Sequence, residues 1–301
     1  MYNVFTGTSH CSTTQSGGAQ QGEPMRIEDN KIFIRQSWLG DALMCPERAR
    51  LSALHPESRK ENDSAMMGTA CHTGIEAVLN EEVEPVHMGD HAVESFRWKE
   101  KELIEAGKAI NVTNTNPSHW NTHIRSMCDA WLRDIYPNVP LGGTSEFKFS
   151  TQVGMLDDYE LHFEGTMDYF HQESIWDWKT AARKYYQAEK QTQNIQSSIY
   201  TKAAYEMGMI DYPATFKFGV MIRNASSTGQ IVSVNRTEAH GNWIVEQATA
   251  LARTVLMYNN NTSGGRWLAN DQHFLCSQRW CPVWDKCKGS YLGSDNAEEA
   301  E

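Results

Sequence analysis

The chain has 301 residues, 40% of them hydrophobic, ten tryptophans and a formal net charge of −11. That length supports one sizeable domain or a domain with an accessory module, and the apolar content excludes a disordered polymer. The acidity excludes a protein that coats nucleic acid non-specifically, though not one with a local basic channel.

The first 25 residues, rich in Ser, Thr, Gly and Gln, read as a disordered tail. They lack a basic n-region and an apolar core, so no secretory leader is expected and the cytoplasm is the expected compartment. No apolar run approaches the roughly 20 residues of a membrane span. A helical region is expected over 26–140. Apolar spacing predicts a helix over 36–54, with Ser37 as its N-cap and Pro46 kinking or dividing it. Further helices are expected within 64–81, 91–106 and 117–136. In the last of these, Trp120, Ile124, Met127, Trp131 and Ile135 fall on one stripe and read as core.

Strands are expected at 146–153, 159–170 and 174–181. The turn-like GMLDD and HQES between them predict an antiparallel meander. A helix over about 185–207, strands at 215–223 and 229–236, and a helix over about 237–260 complete a core spanning 141–263. A Cys- and Trp-rich segment, 264–290, and an acidic tail, 291–301, follow. The fold class is therefore α/β: a mixed central sheet with an antiparallel meander, flanked by helices and preceded by a helical insertion. Basic residues gather at Arg48, Arg50, Arg59 and Lys60, at Arg183, Lys184 and Lys190, and at Arg279, Lys286 and Lys288.

The chemistry concentrates in GTMDYFHQESIWDWKTA, residues 165–181. With HQES as the turn, Phe170 opposes Ile175 and Asp168 opposes Asp177. Opposed residues have Cβ atoms about 4.5–5.5 Å apart on one face. Lys179, two residues beyond Asp177, shares that face, and Trp176 and Trp178 point to the other. Two such carboxylates repel unless a cation sits between them. Oxygen donors with open water positions suit Mg²⁺ or Mn²⁺. A lysine beside the metal can hold or deprotonate a water, or steady charge on a phosphoryl oxygen. The other reading of the hairpin is an Asp–Lys ion pair on an exposed strand.

Gly165-Thr-Met-Asp168 followed by Ile175-Trp-Asp177-Trp-Lys179-Thr180 resembles the core signature of the PD-(D/E)XK nucleases, in their RecB-like exonuclease branch. His72 in GTACHTGIEAVL and the Gln196–Tyr200 pair in QSSIY stand in the matching order up- and downstream. The resemblance covers roughly residues 36–289 and implies a restriction-endonuclease-like core. It implies that His72, Asp168, Asp177 and the carbonyl of Trp178 hold the metal and that Lys179 acts on the water. By the same resemblance Gln196 and Tyr200, four apart on one helix face, contact the DNA strand or the scissile phosphate. Glu146 opens the first meander strand and could lie near the site. For His72 taken alone, a satisfied core histidine is the other reading.

Seven cysteines, at 11, 45, 71, 128, 276, 281 and 287, make an odd and uneven set. Without a leader they do not form a disulfide framework. Cys276, Cys281 and Cys287 lack a fourth ligand. The resemblance supplies Cys45, because AddB-type and CRISPR-associated RecB-like nucleases hold a [4Fe–4S] cluster with one cysteine before the core and three after it. The family's first gap commonly holds two residues; here SQRW supplies four, while PVWDK keeps the usual five. A four-cysteine zinc site and buried free thiols are the other readings. Cys71 and Cys128 are expected in the core, and Cys11 in the tail.

The expected function is a metal-dependent exonuclease on single-stranded or end-containing DNA, in recombination, repair or replication in a phage or prokaryote. The alternatives are a structure-directed endonuclease with the same site and a non-catalytic DNA-binding iron–sulfur module. The chain contains no Gly-x-x-x-x-Gly-Lys-Ser/Thr, so any helicase or recombination partner is expected to be a separate protein.

Overall fold

The computed structural model describes residues 25–292 apart from 59–60, 114, 173, 225 and 261–265. The tails expected at 1–24 and 293–301, Cys11, Arg59 and Lys60 lie outside the described residues. Met25, assigned to the tail from sequence, is instead buried in the core.

Among the described residues, seven strands form one mixed sheet. They are β1 (Arg26–Glu28), β2 (Lys31–Arg35), β3 (Thr144–Leu156), β4 (Tyr159–His171), β5 (Ser174–Ala181), β6 (Ala214–Ile222) and β7 (Thr228–Arg236). The helices include α1 (Gln36–Met44), α2 (Pro46–Leu54), α3 (Asp63–Leu79), α4 (Met88–Glu105), α5 (Trp120–Asp134), α6 (Gln187–Gln193), α7 (Ile195–Glu206) and α8 (Glu238–Asn260). The meander β3–β4–β5 is antiparallel as expected, and β6 pairs with β7 antiparallel. Strand β6 lies parallel to β5, so the chain must cross over between them, and α6 and α7 form that crossover.

Four local expectations need correction. The stretch 26–35 is not helical: β1 and β2 form a hairpin across Asp29 and Asn30, both at positive φ (46° and 61°). Asx residues suit such a two-residue turn, and β2 then runs parallel to β4. Ser37 caps nothing, because β2 passes straight into α1 with Arg35 in the cap position. The turn in GMLDD is only Asp157–Asp158, since Gly154–Leu156 continue β3. The helix over 185–207 is broken at Asn194, whose extended backbone and side-chain bond to the Ser197 N–H start α7 afresh.

Buried Arg236 fixes that break. Its guanidinium donates to the carbonyls of Lys190, Gln191, Asn194 and Asn235, at 3.0–3.1 Å, satisfying acceptors at the end of α6 that the helix leaves open. Arg236→Met strips those carbonyls of their donors while keeping much of the side-chain volume. We expect it to lower unfolding stability by about 2–4 kcal/mol in a denaturant titration.

Helices cover both faces of the sheet. One core packs α1, α2, α7 and α8 against Ile32, Phe163, Ile175 and Phe218; the other packs α3, α4 and α5 against Tyr169, Trp176 and Trp178. The helical stripe from Trp120 to Ile135 lies wholly in the second core. Trp178 meets Trp131 edge-on at 5.6 Å and lies across Gly219 of β6. A Cβ there would stand 2.6 Å from the indole, so only glycine admits the ring.

Candidate active site

The site forms where the sheet opens. One edge of β4 pairs with β3 from Tyr159 to Phe170, with a break at Asp168. Its other edge is shared: β2 takes Glu160–Glu164 and β5 takes only Tyr169–His171. Gly165–Asp168, the sequence motif, falls in the gap between them. The hairpin register is as expected, with Phe170 opposite Ile175, but the ladder ends before Asp168 reaches Asp177. The Trp178 N–H is therefore left without a β4 carbonyl, and Asp168 Oδ2 accepts it at 2.7 Å instead.

The pleat also breaks at this row. Leu161, Phe163 and Met167 face one core, yet Phe170 faces that same core and Tyr169 the opposite one, so the alternation skips a step at Asp168. Across from Asp168 on β3, between the pairs Ser145–Tyr169 and Phe147–Met167, stands Glu146 at φ 48°. A left-handed glutamate costs of order 1–3 kcal/mol and persists where surrounding structure imposes it. Two irregularities on adjacent strands thus turn Glu146 and Asp168 toward one point.

The other predicted residues converge there. His72 of α3 brings Nδ1 to 3.5 Å from Asp168 Oδ2 and lies within reach of the Trp178 backbone. Lys179 Nζ contacts Asp177 Oδ2 at 2.6 Å, and Gln196 Nε2 donates to Asp177 Oδ1 at 2.7 Å. Tyr200, one turn along α7 from Gln196, packs edge-on against Phe149 at 5.5 Å. Gly165 keeps that corner open, since a Cβ there would meet the Phe149 ring at 3.1 Å.

The electrostatics match a site short of positive charge. Burial, opposed by Lys179 and reinforced by Asp168, pushes the Asp177 carboxyl up to about 6. Burial also raises Asp168 against the pull of Lys179. Glu146 reaches solvent, but its partial burial and the charges of Asp168, Glu76 and Asp177 raise it as well. Burial opposes the charge on Lys179, yet Asp177 and Asp168 outweigh it and hold the ammonium above its ordinary value. Burial and the Lys179 charge push His72 down to about 4, so its imidazole is neutral and free to ligate. Burial raises Tyr200, and the Asp177 charge adds to it. Glu76 is a participant that the sequence reading missed. It sits one turn beyond His72 on the same face of α3 and is itself raised by burial.

These donors fit a hard divalent cation: carboxylate oxygens, a neutral imidazole and a backbone carbonyl nearby. Asp177 Oδ2 is buried and, beyond its ion pair with Lys179, accepts no well-directed hydrogen bond. Among the described residues, no three His, Cys, Asp or Glu side chains are gathered tightly enough to hold an ion as they stand. Side-chain rotations of Asp168 and Asp177 would have to close the set.

The four cysteines assemble elsewhere. Cys45, Cys276, Cys281 and Cys287 line one cavity of about 30 Å³ with His273 and Trp284. Around it, buried Glu47 of α2 accepts from Arg50 Nε and Nη2 at 2.7 Å and from the Trp267 N–H at 2.8 Å. Asn270 reaches the Met44 carbonyl at 3.0 Å and Cys45 Sγ at 3.4 Å. The end of the described chain is thus clasped to α2. Cys71 and Cys128 are buried in the second core as expected. The basic pair Arg48 and Arg50 is absorbed by Asp41 and Glu47.

A mixed sheet that parts over clustered carboxylates, with a lysine and a neutral histidine beside them, is an arrangement suited to metal-dependent hydrolysis. The chain belongs to the PD-(D/E)XK nuclease superfamily, whose model matches residues 36–288; nucleases of this superfamily use divalent metals such as Mg²⁺ or Mn²⁺. A solved structure from Eubacterium rectale described as a "Putative exonuclease" shares the fold, with a TM-score of 0.52 at 11% identity, over 84% of this chain and 92% of that one. No curated protein matches the chain. Among the described residues, no helix is long and apolar enough to cross a membrane.

Proposed function

We propose that the protein is a divalent-metal-dependent deoxyribonuclease that removes nucleotides from single-stranded or end-containing DNA. The observation that carries this reading is the single row formed by Glu146, Asp168, Asp177 and Lys179 where β4 and β5 part. His72, Asp168, Asp177 and the Trp178 carbonyl would hold the metal. When bound, Mg²⁺ or Mn²⁺ activates a water and neutralises charge on the phosphate. Lys179, beside Asp177, would position the attacking water and offset charge developing on the phosphate during cleavage. Gln196 fixes Asp177 from the far side and, with Tyr200, contacts the strand beside the scissile phosphate.

In the same reading the cysteine cavity holds a [4Fe–4S] cluster with a structural role, supported by four thiols converging from both ends of the nuclease region. The protein acts in the cytoplasm in recombination, repair or replication, with any helicase as a separate partner. The test is degradation of end-labelled linear single strands with Mn²⁺, beside a covalently closed circle and the Lys179→Ala variant. We expect the linear strand to be degraded, the circle to survive and the variant to be inactive. Cutting of the circle would make the enzyme an endonuclease. Inertness of the intact protein toward all substrates would leave a binding module.

A further inference from the structure

We propose that the cavity at the C-terminal end of β5 binds a second phosphate of the substrate strand, with Arg223 as its cation; this rests on the nuclease reading above. The cavity has a volume of about 380 Å³. Its walls are Ser64 and Ala65 from the start of α3, Met127 of α5, Thr180–Ala182 at the end of β5, and Arg223 just past β6. Thr180 follows Lys179 but points to the opposite face of β5, with Trp176 and Trp178, so the cavity opens at the end of the strand on the side of α3, the helix that also carries His72. The Arg223 N–H donates to the Ala181 carbonyl at 2.8 Å, extending the parallel ladder that sets Lys179 beside Val220. Three residues of strand separate Lys179 from Ala182, about 10 Å. A DNA strand whose scissile phosphate lies at Lys179 would place a neighbouring phosphate in this cavity by passing around the end of β5.

The charge pattern favours an anion. Arg26, Arg48, Arg50, Arg97, Arg125 and Arg133 each pair with a carboxylate. Arg223 does not: among the described residues its guanidinium bonds the Ser64 hydroxyl at 3.0 Å, and no carboxylate lies within ion-pair distance. The nearest acid in sequence to the cavity wall, Asp63, is not part of the lining. Its Oδ1 accepts from the Ser64 and Thr113 N–H groups and the Thr113 hydroxyl, while its Oδ2 is buried and accepts no well-directed hydrogen bond among the described residues. Arg183 and Lys184 continue the chain from Ala182 and are exposed. His123, with His119 beside it at 6.2 Å, is close enough for Arg223 to act on its charge. A Cβ on Gly68 would come within 2.9 Å of the Thr180 hydroxyl, so α3 seats tightly against this strand end and fixes the cavity wall. The guanidinium fork matches two phosphate oxygens, and the Ser64 hydroxyl can turn to donate to a third.

The ligand is a phosphate monoester at a DNA end or an internal phosphodiester, and the test separates them. Affinity of the full-length protein for fluorescent single strands is measured against salt in EDTA, where nothing is cut, for wild type, Arg223→Ala and Arg223→Lys. We expect Arg223→Ala to weaken binding about tenfold and to lower the slope of log K against log salt by about 0.7–1, as one lost phosphate contact requires. Arg223→Lys should restore the slope. A loss confined to strands with a phosphorylated end assigns the terminal phosphate. An equal loss on hydroxyl-ended strands and closed circles assigns the internal phosphodiester. Unchanged affinity and slope in Arg223→Ala, with a wild-type thermal midpoint, would overturn the proposal. So would a binding loss of equal size in Arg223→Lys. Because cleavage is not the readout, a failure of the nuclease reading shows separately, in the Mn²⁺ assay on wild type.

Discussion

Asp177→Asn is expected to cut the rate of DNA cleavage at least a thousandfold, about 4 kcal/mol of transition-state stabilisation, while leaving the fold intact. The substitution is close to isosteric. An asparagine Oδ1 still accepts from Gln196 Nε2, now at 2.7 Å from the aspartate, so α7 stays in place. What disappears is the negative charge on the buried oxygen that faces Lys179. That charge is unfavourable to the protein alone, as its raised proton affinity shows. Lys179 offsets part of that cost, and in the proposed reading a divalent cation would offset the rest. Rates at saturating Mn²⁺ read the first effect. The Mg²⁺-dependent rise in thermal midpoint reads the second: it should be present in wild type and largely absent in the variant. A variant within tenfold of wild type would place the chemistry away from this row.

Much of that row was legible in the sequence because it rests on periodicity. A turn at HQES fixes which residues oppose, and the two-residue repeat of strands fixes which share a face, so Asp168, Asp177 and Lys179 could be brought together on paper. Periodicity also hid what the structure adds. An unbroken alternation cannot show the skipped step at Asp168, the left-handed Glu146 or the parting of β4 from β5, because each depends on what the neighbouring strands do. Glu76 was visible in principle, four residues after His72, but nothing local distinguishes it from a solvated helix face. Strands β1 and β2 were missed for their shortness, though the alternation of Ile32 and Ile34 and the Asp29–Asn30 pair are a hairpin signal. The split of the 185–207 helix depends on Arg236, over 40 residues away in the chain.

Cys45→Ser is expected to give the second large effect, on cohesion rather than on rate. If the four thiols hold a cluster, it closes a loop of roughly 230 residues between Cys45 and Cys276. Cross-linking a loop of that length removes about 5 kcal/mol of chain entropy from the unfolded state, so its loss should lower stability by a similar amount. Protein purified without oxygen should carry about four irons and four acid-labile sulfides per chain. The variant should carry neither, and protease should release its residues 266–292 first. Zinc in place of iron would correct the identity of the group. Normal stability and full protease resistance in the variant would show that Glu47 and Asn270 hold the clasp unaided.

That clasp joins segments 220 residues or more apart in the chain, which fixes an order of events during synthesis. At about 5–20 residues per second, Cys45 and Glu47 emerge from the ribosome some 10–45 s before the tryptophan and cysteines that complete their contacts. Every residue of the proposed site, from His72 to Tyr200, is made within that interval. A chain halted before Trp267 therefore carries every residue of the proposed site and none of its fastening.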